Sequence, residues 1–135
     1  VAKVTINKGA LNQVLYGSGG PVYRHIAESG LRVQQEARRL VSGPLLNVRT
    51  GRGRAGIVSR MGVNGRGPVA TISTSPETGY MAALHEGTRP HIITPKNARV
   101  LAFKVGGKQV FAQIAHHPGT TPRRFLLEAA KILRR

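Results

Sequence analysis

The sequence predicts an α+β fold: a long N-terminal helix packed on a mostly antiparallel sheet of four to five strands, with a C-terminal helix. Three observations predict it. After Pro21, the apolar residues Val22, Ile26, Val33, Ala37, Leu40 and Val41 recur at helical spacing, with Arg24, Arg32, Arg38 and Arg39 largely off that stripe. Two apolar runs, Val100 to Val105 and Lys108 to Ala115, flank Gly106-Gly107, a two-residue hairpin signal. Near the end, Thr121-Pro122 precedes Phe125, Leu126, Ala129, Ile132 and Leu133, which make one helical face.

Each element follows from local chemistry. Val4 to Ile6 reads as a short strand or ordered arm, and Leu11 to Tyr16 as a helical turn ahead of the Gly17-Ser18-Gly19-Gly20 break. Residues 1–20 are thus an N-terminal arm with a short helix. Pro21 suits a first helical position, where its missing N–H costs nothing. Gly30 lowers helix propensity by about 1 kcal/mol relative to Ala and permits close packing. Gly43-Pro44 stops the helix. Residues 46–56 form an Arg/Gly-rich loop in which alternating Arg and Gly predict a mobile backbone.

Ile57 to Met61 and Val69 to Thr74 read as strands separated by a Gly62 to Pro68 turn. In the second, Val69, Thr71 and Ser73 share one face, and Ala70, Ile72 and Thr74 the other. Thr78 to Leu84 reads as a short helix, and Pro90 and Pro95 bracket an extended Ile92-Ile93. Thr121 is expected to cap the last helix, with Lys131, Arg134 and Arg135 at the end where the helix dipole favours cations. No internal repeat is present, and the length suits a single domain over 1–135.

Composition narrows the partners. The 135 residues carry 21 Lys and Arg against five acids, all Glu, for a formal charge of +16. Such an excess favours nucleic acid or a strongly acidic protein surface. With no Cys there is neither a disulfide framework nor a thiolate metal site. No run approaches the ~18 apolar residues of a membrane span, so no membrane partner is expected. The opening Val1-Ala2-Lys3-Val4-Thr5-Ile6 has no apolar stretch of signal-peptide length.

Catalytic chemistry is poorly supplied. His85-Glu86 with His91 gives H-E-x-x-x-x-H, not the i, i+4 spacing that sets two zinc ligands on one helical face, and Pro90 breaks such a helix. No carboxylate neighbours His116-His117. Neither a metal nor another cofactor is expected, and no catalytic residue is assigned. His85, Glu86, Arg89 and His91 supply the residue types of a metal-free ribonuclease, which stands as a third alternative. Gly51 to Gly56 matches G-x-G-x-x-G but precedes a strand, where a dinucleotide fingerprint follows one. The stronger lead is Arg49, Arg52, Arg54, Arg60 and Arg66, which suit DNA phosphates or an acidic partner. They lack the interleaved aromatics of a base-stacking platform.

Four motifs then occur in order. Pro44 leads through Val48-Arg49-Thr50-Gly51 to Ile57. Tyr80-Met81-Ala82-Ala83-Leu84-His85-Glu86-Gly87-Thr88 joins an aromatic element to a Glu-Gly-Thr turn. Pro95 opens a segment that reaches Leu101-Ala102-Phe103, and His117-Pro118-Gly119-Thr120 precedes Pro122 to Leu126, including Phe125. From about Pro21 to Leu133 this order resembles the neck or tail-completion (tail-component) proteins of long-tailed bacteriophages. The chain departs from their pattern in one extra residue in the second motif, in Arg-Gly-Arg after Thr-Gly, and in its few acids.

The resemblance implies a non-enzymatic virion protein of the head–tail junction, assembled in the host cytoplasm. It implies a homo-oligomeric ring, expected to be a hexamer, that joins the head-closure or connector proteins to the tail-terminator or tail-tube proteins. Genomic double-stranded DNA would pass through the lumen without sequence recognition. Thr50, Gly51, Tyr80, Glu86, Gly87, Thr88, His117, Pro118, Gly119, Thr120 and Phe125 would then be architectural, with Gly87 and Gly119 supplying positive φ. A free-standing basic nucleic-acid-binding protein, ribosome-associated or nucleoid-like, remains the alternative.

Overall fold

The computed structural model describes residues 4–43, 45–46 and 50–134. It is an α+β structure that divides into two compact units, Val1–Met81 with Arg124–Arg135, and Ala82–Arg123.

In the first unit, α1 (Lys8–Tyr16) begins earlier than its apolar residues suggest, because the Asn7 side chain accepts the Ala10 N–H at 3.1 Å. Helix α2 (Pro21–Leu40) has Pro21 in its first turn and buries Gly30, Val33 and Ala37. It lies against an antiparallel ribbon of β1 (Ile57–Asn64) and β2 (Gly67–Thr74). The ribbon is longer than the apolar runs indicate. Its turn is only Gly65-Arg66, fastened by the Arg66 N–H donating to Asn64 Oδ1 at 2.9 Å.

Gly30 marks the closest approach: a Cβ there would sit 2.7 Å from Ala70 Cβ and 3.1 Å from Ser59 Oγ. Ala70 and Ile72 therefore belong to the face toward α2, while Val69, Thr71 and Ser73 lie on the opposite face. The Ile57 carbonyl accepts from Gln34 Nε2 at 2.8 Å and from Arg38 Nη2 at 2.9 Å, tying helix to strand. Helix α5 (Phe125–Ala130) packs on α2 with Phe125 and Ala129 buried, and a 3-10 turn, Lys131–Arg134, follows it.

Two local expectations change in this unit. Of the predicted 46–56 loop, residues 47–49 (Arg49 among them) lie outside the described residues, and the rest includes one helical turn. Gly51 takes a left-handed φ of 73° and starts the single turn α3 (Arg52–Ala55). Gly53 is buried where a Cβ would stand 2.6 Å from Met81 Sδ and 2.8 Å from Tyr80 Oη. The glycines thus serve close packing as well as freedom of the backbone. A 3-10 turn, Pro76–Thr78, then precedes α4 (Tyr80–Glu86), so the predicted Thr78 to Leu84 helix is two pieces.

The second unit holds the end of α4 and two further antiparallel ribbons. One pairs β3 (His91–Ile93) with β6 (Ala115–His117), and the other pairs β4 (Leu101–Val105) with β5 (Lys108–Ala112) across Gly106-Gly107. Within the expected α+β class of antiparallel strands, the described residues hold six strands, arranged as three two-stranded ribbons. Prolines explain part of this: Pro90, Pro95 and Pro118 flank β3 and β6 and cannot donate to a ladder. Thr121 does not cap the last helix. Thr120 is paired with Thr88 and the Arg123 N–H donates to the Leu84 carbonyl at 2.8 Å, so the chain stays non-helical until Phe125.

The two faces of α5 should respond differently to truncation. Phe125→Ala removes a fully buried ring and is expected to cost about 3–5 kcal/mol. Leu127→Ala, on the exposed side of the same helix, should stay within about 0.5 kcal/mol. Denaturant melts of the two variants beside the parent measure both.

Candidate functional site

The two most characteristic motifs meet in the second unit. Thr88 and Thr120 form an isolated antiparallel bridge, each N–H donating to the other's carbonyl at 3.0 Å. Gly87 and Gly119 flank it with φ of 77° and 91°. A Cβ on Gly87 would stand 2.6 Å from the Thr120 carbonyl oxygen, and one on Gly119 would collide with the Thr88 carbonyl oxygen. Only glycine fits both the dihedral and the space. The His117 ring caps the turn, its Nδ1 accepting the Gly119 N–H at 3.0 Å, with Pro118 between them. These residues build a backbone joint.

Histidines gather beside this joint without making a metal site. His91 and His117, cross-strand partners, stack with ring centroids 4.9 Å apart. The His91 Nδ1 faces the Arg89 carbonyl at 2.9 Å. Both rings line an open groove of about 340 Å³ with Pro90, Ile92, His116 and Pro118. Of the ribonuclease set, only His91 lines this groove. His85 instead pairs with the exposed Glu86 at 2.8 Å on α4. Among the described residues, no group of three or more His, Cys, Asp or Glu is placed to hold a metal. Nor is any helix among them long and apolar enough to cross a membrane.

The arginines sit at both ends and in the middle of the β1–β2 ribbon. Arg52 and Arg54 are exposed on α3 at one end of the β1–β2 ribbon, and Arg66 is in the turn at the other. Arg60 lies between, exposed and opposite Thr71 on the face away from α2. Eight residues of strand separate the ends by roughly 23 Å. Thr50 is exposed, its Oγ1 accepting the Arg52 N–H at 3.4 Å; Tyr80 is exposed at the start of α4. Phe125 belongs to the core of the first unit.

Sequence reasoning missed how much apolar surface stays uncovered. Among the described residues, the buried apolar ones are Val33, Ala37, Val41, Ile57, Met81, Phe125 and Ala129, all of them in the first unit. No residue from 82 to 123 is buried. Large side chains are exposed instead along α1, on β3 and on the β4–β5 hairpin. The signal was legible in principle, because the hairpin sequence places apolar residues on both of its faces and a one-sided core can cover only one.

The chain matches no protein-family model, no curated protein and no solved structure.

Two measurements test the site. Gly119→Ala should destabilise by more than about 1 kcal/mol, seen as faster hydrogen exchange at the Thr88 and Thr120 amides. For duplex DNA, Arg52→Gln with Arg54→Gln and Arg60→Gln should flatten the slope of log affinity against log salt by about 0.9 for each phosphate left unneutralised. An unchanged slope would assign these side chains to a protein partner.

Proposed function

We propose that this chain is a structural subunit of the head–tail junction of a long-tailed bacteriophage, a neck or tail-completion protomer that closes into a ring. Six copies would join the connector side to the tail side and continue the channel for genomic DNA. The observation that carries the reading is the Thr88–Thr120 joint. Two motifs of the resemblance, far apart in sequence, meet as paired backbone with steric demands for glycine, which supports an architectural role for Gly87, Thr88, Gly119 and Thr120.

Two further observations support it. A unit without buried residues, carrying exposed Ile92 and Ile93, suits a protomer completed by other chains of an assembly. Exposed arginines at both ends and in the middle of the β1–β2 ribbon suit DNA held by its phosphates. The second reading, a free nucleic-acid-binding protein, draws on the same charge of +16.

Mass spectrometry of purified particles, with cross-linking, separates the two. The structural reading expects stoichiometric protein beside portal, connector and tail-tube chains. Protein found only free in lysate, binding duplex DNA tightly with a steep salt dependence, would replace it with the alternative.

A further inference from the structure

The β4–β5 hairpin carries exposed apolar side chains on both of its faces. Its register sets Leu101, Phe103 and Val105 with Ala112, Val110 and Lys108 on one face, and Ala102 and Lys104 with Phe111 and Gln109 on the other. Val105 is 58% exposed and Phe103 37% on the first face, and Phe111 is 63% exposed on the second. Val100 and Ile114, at the base, are exposed too. A two-stranded ribbon alone is marginally stable in water, and no buried apolar residue in 82–123 supports this one. Apolar side chains on both faces call for a partner that embraces the hairpin.

Charge identifies the partner's chemistry. From 89 to 123 every Lys, Arg, Asp or Glu is basic: Arg89, Lys96, Arg99, Lys104, Lys108 and Arg123. Lys104 and Lys108 lie near the tip, beside the exposed valine. A second copy presenting the same hairpin would set cation against cation. Elsewhere a second copy offers little acid, since Glu36, Glu86 and Glu128 are engaged by Arg39, His85 and Lys131. That leaves Glu28 and Glu77 in a chain of +16. Nucleic acid would satisfy the lysines but leave Val105 and Val100 in water.

We propose that the β4–β5 hairpin is a docking finger for a different protein chain, one offering an apolar cleft with an acidic rim. The hairpin's exposed apolar faces and its lysines call for such a chain with or without the phage reading.

The test begins with photoreactive benzoylphenylalanine in place of Phe111 in the full chain, produced in cells where its natural assembly forms. Irradiation and peptide sequencing then identify the adduct. The captured chain is purified and titrated with the parent, with Val105→Ser plus Phe111→Ser, and with Lys104→Glu plus Lys108→Glu, at low and high salt. The expected result is an adduct to a distinct, acidic chain, with at least a tenfold loss of affinity in either double variant and further weakening by salt. Both variants change exposed residues, and unchanged circular dichroism certifies their fold; should one fail to fold, the other decides. Adducts with this same chain, with nucleic acid or with a basic protein, or no adduct at all, overturn the proposal, as does unaltered binding by a folded variant. An acidic partner that is no virion component would sustain the finger and sink the head–tail reading.

Discussion

The seating of α2 on the β1–β2 ribbon is the constraint on which the rest of the first unit depends. Gly30 removes the side chain that would hold the helix away from Ala70 and Ser59. At close range two α2 side chains reach the Ile57 carbonyl, at 2.8 Å and 2.9 Å, and satisfy a backbone acceptor on a fully buried residue. Each such bond is worth only about 0.5–1.5 kcal/mol net, but an unpaired buried carbonyl would cost about 1–3 kcal/mol. The bonds therefore fix register more than they add stability. With α2 seated, Val33, Ala37, Val41 and Ile57 are all buried, and Phe125 of α5 completes the core. Arg38 also carries a cost: its Nε is buried with no hydrogen-bond partner among the described residues, while its Nη2 makes the bond to Ile57.

The second unit obeys different physics. It has no buried residue, so backbone pairing does what side-chain packing does in the first. The Thr88–Thr120 bridge, the Arg123 to Leu84 bond and two short ribbons are its framework. Backbone bonds close to water are individually weak and open readily. The glycine demands at Gly87 and Gly119 make sense in that setting. Where no core fixes the path of the chain, local sterics must, and left-handed dihedrals in a tight space leave few alternatives.

Legibility followed the same division. Helix α2 could be read from the sequence because a one-sided apolar stripe reports the core it faces, and the faces of β2 were readable for the same reason. The hairpin at Gly106-Gly107 was readable from turn chemistry alone. What resisted reading depended on contacts distant in sequence. Nothing local to Arg52-Gly53-Arg54 announces that Gly53 meets Met81 and Tyr80. Thr121-Pro122 has the chemistry of a helix start, yet pairing with residues more than thirty positions away delays the helix to Phe125. The motif residues could be picked out in the sequence; that Thr88 and Thr120 pair could not.

Charge ties the proposed assembly together. Protomers of +16 repel when brought into a ring, and local pairs such as Glu36 with Arg39 at 2.7 Å are exposed and contribute little against that repulsion. Burial of apolar surface between neighbours supplies attraction at short range, but the repulsion acts over the Debye length of about 8 Å at physiological salt and comes first. Such a ring therefore needs polyanion before it can close. Arg52, Arg54, Arg60 and Arg66, at the ends and middle of the β1–β2 ribbon, would suit DNA in the lumen, and an acidic partner around the hairpin would neutralise the second unit. In the proposed ring the excess of basic residues would itself be an ordering device: protomers would stay apart while free and associate only where DNA or an acidic partner is already in place.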